Sequence, residues 1–103
     1  MAHYVIEPEV VSSSTTLLRV GFGDEPASND AIVVAVEERL AQLSLGGKLC
    51  LISGPASLPV AFVLAHRLVH MFGAIAVFDP KLQQYVVCVS HDADYWIGQL
   101  VSP

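Results

Sequence analysis

The side chains able to do chemistry in this chain gather in its second half. Ser53, Gly54 and Ser57 follow one apolar run. His66, Arg67 and His70 close a helical stretch, Asp79 and Lys81 flank a proline, and His91 ends the next apolar run. A Ser-Gly turn opening a helix offers spare amides and close backbone approach, which suits a phosphate or carboxylate; an ordinary strand-to-helix turn has the same pattern. His66 and His70 are four apart, so on a helix their rings share a face. They read as a metal-ligand pair, as a phosphate clamp with Arg67, or as solvated residues favoured by the helix C-terminus. His91 groups with His70 rather than with Asp79. No Ser-His-Asp order, Walker loop, GxGxxG, HExxH or CxxC is present.

These residues are positioned by a short series of elements. Residues 3–11 and 15–22 are rich in β-branched side chains and joined by three serines, predicting a hairpin. From Ala31 the positions Ile32, Val33, Val36, Leu40 and Leu43 follow a helical period, with Asn29 or Asp30 as cap and Gly46-Gly47 as stop. Leu49 to Ile52 is a central strand, apolar on both faces. A second helix opens at Pro59, carries a core stripe of Val60, Val63, Leu64, Leu68 and Met71, and stops at Gly73. Ala74–Phe78 is a buried strand, Asp79-Pro80 a turn and Tyr85–Val89 the returning strand. Residues 92–102 add a short edge strand carrying Tyr95 and Trp96.

The order is ββαβαββ, a single α/β domain over residues 1–103 with a small Rossmann-like or ferredoxin-like mixed sheet. Its β-α-β unit, residues 48–79, should cross over right-handedly. Ser53, Gly54, Ser57, Asp79 and Lys81 then share one end of the sheet. His66, Arg67, His70 and His91 share the other, about 20 Å away along the helix at ~1.5 Å per residue. If Asp79 and His70 serve one reaction, its site is shared between subunits. A bulky residue at Gly54 is expected to block a ligand and leave the fold intact.

Composition narrows the classes. A hydrophobic share of 53% against 15% charged residues excludes disorder. No apolar run reaches the ~18 residues of a membrane span, and an acidic start without a basic region is not a signal peptide. Cys50 and Cys88 lie in apolar runs and are expected to be buried, reduced thiols, which implies a cytoplasmic protein. A net charge of −5 argues against phosphate-driven binding of long nucleic acid. The acids are concentrated before residue 52, however, and residues 52–91 hold Asp79 alone beside Arg67, Lys81 and three histidines, so a short anion is acceptable there.

In order and spacing, Ile52-Ser53-Gly54, Leu64-Ala65-His66-Arg67, His70, Ala76 to Leu82 and Val86-Val87 leading to Ser90-His91 resemble one family. It is the CRISPR-associated type III accessory ring nucleases (Csx-three), first described as manganese-dependent RNA deadenylases. The similarity covers residues 48–91 well and the N-terminal hairpin in outline. It implies a homodimer that binds cyclic tetra-adenylate and cuts it, switching off type III antiviral signalling, with dimers stacking around the ligand. By the same resemblance Asp79 is a catalytic residue and ligand of Mn2+, and His70 its catalytic partner. Ser53 and Gly54 line the ligand cradle, with Ser57, His66, Arg67, Lys81 and His91 as further ligand-binding positions. Short RNA is a possible second substrate. Pro55 stands where the family has arginine, Lys81 replaces another arginine, and an adjacent histidine pair is reduced to Val69-His70. These departures keep open a sensor or sink that binds without cutting. A third reading, a module that dimerises through Tyr95, Trp96 and the tail, needs no ligand.

Overall fold

The computed structural model describes residues 1–103. Strand β1 (Tyr4–Val10) pairs antiparallel with β2 (Thr15–Phe22), as the serine-linked β-branched runs predict. Helix α1 (Asn29–Ala41), β3 (Gly47–Ser53), α2 (Leu58–Leu68), β4 (Phe72–Asp79), β5 (Gln84–Ser90) and the two-residue β6 (Leu100–Val101) follow. Strands β2, β3 and β4 are parallel, and β5 and β6 return antiparallel. The mixed α/β sheet is therefore present, with its six strands in sequential order. No strand order reverses, so the sheet lacks the switch-point crevice of a doubly wound fold.

Both crossovers step the same way and place their helices on one face. Ile32, Val36 and Leu40 of α1 and Val60, Leu64 and Leu68 of α2 pack there on Ile6, Leu18, Cys50 and Ile75. Each helix triplet is spaced by four, the repeat that makes one buried stripe. The opposite face buries Leu17, Leu49, Leu51, Ala74, Ala76, Tyr85 and Val87, and the tail folds Tyr95 and Val101 against them. Burial of either cluster supplies stability at about 25 cal/mol per Å² of apolar surface. No helix is long and apolar enough to cross a membrane.

The helix ends differ from the sequence expectation. Ser28, not Asn29 or Asp30, takes the cap position of α1, and its hydroxyl bonds the Asp30 carboxylate. The helix stops at Ala41, well before Gly46-Gly47, and Gly47 already belongs to β3. Leu43 and Leu45 both pack on the core; side chains two apart cannot share a helix face, so the chain must leave the helix to bury them. Helix α2 likewise ends at Leu68, and Gly73 lies inside β4. In the tail only Leu100 and Val101 form a strand. Tyr95 precedes it in a turn, and Trp96 is exposed.

The cysteines also part company. Cys50 is buried, and its burial pushes the thiol up to about 12, leaving it protonated and unreactive. Cys88 is exposed, because neither helix reaches across β5.

Candidate functional site

Two groups of polar side chains occupy opposite ends of the β3-α2-β4 unit. At the C-terminal ends of the parallel strands, Ser53 closes β3 and Asp79 closes β4. Asp79 Oδ1 accepts from the backbone N–H of Lys81 at 2.9 Å and of Leu82 at 3.3 Å, capping the β4–β5 turn. Its second oxygen has no protein partner. Of the five Lys and Arg residues, Arg19 pairs with Glu9, Lys48 with Asp94 and Arg67 with Glu37, while Arg39 donates to the Ile6 carbonyl. Lys81 alone has no partner and is exposed beside Asp79. A free carboxylate oxygen and a free ammonium thus stand together on one hairpin tip. Strand alternation places Asp79 with Ile75 and Val77 on the helix face, and Ser53 with Leu49 and Leu51 on the other.

The turn between Ser53 and α2 is held by packing. Gly54 has φ +133, and a Cβ on it would lie 1.8 Å from the Val20 carbonyl oxygen. Its lack of a side chain is therefore required by the backbone of β2, whatever ligand approaches. The expectation that bulk here leaves the fold intact is corrected accordingly. Gly54→Val should lower the stability by about 3 kcal/mol or more; a melting curve close to that of the native protein would contradict this. The Tyr4 hydroxyl donates to the Pro55 carbonyl at 2.6 Å, and burial raises the phenol to about 12. Ser57 caps α2, accepting from Val60 N–H at 3.3 Å, and its hydroxyl donates to Asn29 Oδ1 at 2.8 Å. Ser57 thereby ties the starts of the two helices together. The largest hollow, about 620 Å³, lies beside this junction and is lined by His3, Glu25, Asn29 and Ser57, among others. Asp79, Lys81 and His70 do not reach it.

At the other end, His66 and His70 are both exposed, with ring centroids 5.4 Å apart in an edge-to-face arrangement. Their i, i+4 spacing on α2 and the link beyond it produces that contact. His91 Nε2 lies 3.1 Å from the Val69 carbonyl and 2.9 Å from that of Phe72. Carbonyls only accept, so Nε2 carries the proton and His91 holds the end of α2 against β5. Arg67 points the other way. Its Nε is 3.3 Å from Glu37 Oε1, close as an ion pair but misaligned as a hydrogen bond. It therefore ties α2 to α1 instead of joining a clamp with the histidines.

Asp79 ends the eight-residue β4 and His70 stands just before it begins. At ~3.3 Å per strand residue they are about 23 Å apart. Nowhere in the chain do three His, Cys, Asp or Glu side chains gather closely enough to hold a metal ion. The donor set of one chain, Asp79 at one end and His66 and His70 at the other, does not make a manganese site.

The contacts of Tyr4 with Pro55, Ser57 with Asn29 and Arg67 with Glu37 carried no local signal in the sequence. Each joins elements far apart along the chain. The family described as CRISPR-associated protein (Cas_csx3) matches the chain over residues 38–102, well over half its length. No curated protein matches it.

Proposed function

The chain belongs to the Cas_csx3 family of CRISPR-associated proteins, and on that footing we propose that it is a ring nuclease acting on cyclic tetra-adenylate. In this reading it opens the cyclic messenger to linear products and so ends type III signalling. The observation that supports it is the unpartnered carboxylate oxygen of Asp79 beside Lys81, the one Lys or Arg side chain with neither an ion pair nor a hydrogen bond, on an exposed hairpin tip. Lys81 attracts a phosphate, and a short cyclic anion is accepted there more readily than long RNA, given the chain's net charge of −5.

Opening a phosphodiester requires a proton to leave the attacking oxygen and one to reach the leaving oxygen. Imidazole is suited to both transfers near neutrality, and exposed His70 offers it. His70 is too far from Asp79 to act with it inside one chain. The site is completed when copies of the chain close around the ring, Asp79 and Lys81 from one and His70 from another. The manganese dependence implied by the resemblance would have to be met at that junction, since one chain lacks the donors.

Binding without cleavage is the second reading, and Pro55 favours it. Its carbonyl is engaged by Tyr4 and the turn carries no cation. Incubation with cyclic tetra-adenylate, with and without manganese, separates the readings by chromatography alongside a binding measurement. Conversion to linear products is expected. Tight binding with the ring intact would select the sensor, and no binding at all would overturn both.

A further inference from the structure

Beside the Asp79–Lys81 tip, the helix face of the sheet carries an apolar groove that no step of the proposed chemistry uses. It holds about 300 Å³, the size at which small-molecule sites begin. Gly54 and Ala56 line it from the β3–α2 turn, Phe62 and Ala65 from the helix, and Val77 and Cys88 from the sheet. No lining side chain is charged, and none carries a hydroxyl or an amide. The Cys88 thiol is the one polar group among them, and it is turned to the Val86 carbonyl at 3.3 Å. Phe62 is 72% exposed, an aromatic face open to solvent at the wall of the groove. Val77 and Cys88 also line the hollow that Asp79 borders, so the groove runs on to the carboxylate.

We propose that this groove holds an adenine base of the ligand and selects it, while the attached phosphate runs out toward Asp79 and Lys81. The proposal rests on the function given above and adds to it the surface that reads the base. Every nucleobase has a face that stacks on an aromatic ring, so Phe62 alone would accept any of them. Selection comes from the bare lining. Guanine, cytosine and uracil each bring a carbonyl into the groove, and a polar group buried there without a hydrogen bond is penalised. Adenine has no carbonyl and a single amino group, so it loses least. Ala56 lines the same groove, and its N–H has no acceptor in the chain, which leaves a donor for a ring nitrogen of adenine. The charges are divided in the same way, with an uncharged groove for the neutral base and Lys81 for the phosphate.

Binding of cyclic tetra-adenylate and of cyclic tetra-uridylate to the full chain, with manganese left out, tests the subsite. Phe62→Ala should weaken binding of the adenylate ring about 10-fold or more, the scale of one lost base–aromatic stack. Val34→Ala, an exposed apolar site on α1 outside the groove, should leave it unchanged. Phe62→Trp should bind as the native chain does, and its indole fluorescence should fall as the base stacks on it. The native chain, whose one tryptophan is Trp96, supplies the background. The adenylate ring should also slow alkylation of exposed Cys88, and the uridylate ring at the same concentration should not. Circular dichroism of each variant establishes that it is folded. A native chain that binds no cyclic tetra-adenylate would overturn the proposed function and the subsite with it. Full affinity in Phe62→Ala, equal affinity for the two rings, or binding that neither shields Cys88 nor quenches Phe62→Trp would overturn the subsite and leave the function standing. Weaker self-association of Phe62→Ala at unchanged ligand affinity would give the groove to a protein contact instead, and overturn it equally.

Discussion

Asp79→Asn is expected to slow opening of cyclic tetra-adenylate by about 100-fold or more, the usual scale for losing one acid/base or charge-bearing group. Asparagine is chosen because it separates chemistry from structure. Asp79 Oδ1 caps the β4–β5 turn by accepting from Lys81 and Leu82, and the asparagine carbonyl can accept the same bonds. Only the charge and the second carboxylate oxygen are lost. The melting temperature should therefore stay close to that of the native protein, while initial rates collapse. Asp79→Ala would confound the two, since leaving those amides uncapped costs about 1 kcal/mol. An Asp79→Asn chain that cleaves at nearly the native rate would remove Asp79 from the chemistry.

The parts of this arrangement that are legible in the sequence are those set by local pattern. The apolar run Leu49–Ile52 and the β-branched run Ala74–Phe78 mark β3 and β4. The Pro59 stripe marks α2 between them, and that order alone sends Asp79 and His70 to opposite ends. What local pattern misses is decided by contacts at long range. Gly46-Gly47 and Gly73 look like helix stops, yet both helices end earlier. In one case Leu43 and Leu45 are drawn into the core. In the other, Gly73 pairs into the sheet, where a Cβ would come within 3.0 Å of Asp92. Gly54 looks like room for a ligand, but the carbonyl of Val20 fills that room. Cys88 sits in an apolar run and is still exposed, because whether a strand face is covered depends on how far the helices reach. Arg67 looks available for a phosphate until α1 brings Glu37 beside it.

The second large effect is recovery of activity on mixing two inactive proteins. Within one chain Asp79 and His70 are separated by the length of β4, about 23 Å at ~3.3 Å per residue. No side-chain rotation closes that gap, and the parallel β3–β4 pairing prevents the strand from folding back. Asp79→Asn should keep a working His70. His70→Ala should keep a working Asp79 and Lys81, and since His70 is exposed, its loss should not disturb the fold. Each variant alone should be inactive. Native activity should also rise faster than linearly with protein concentration, because assembly precedes cleavage. The most direct test is therefore the rate of cyclic tetra-adenylate opening by Asp79→Asn and His70→Ala, each alone and then combined at equal concentration. Negligible rates apart and a clear partial recovery together are the predicted result; no recovery on mixing, with native activity strictly proportional to concentration, would contradict a site shared between chains.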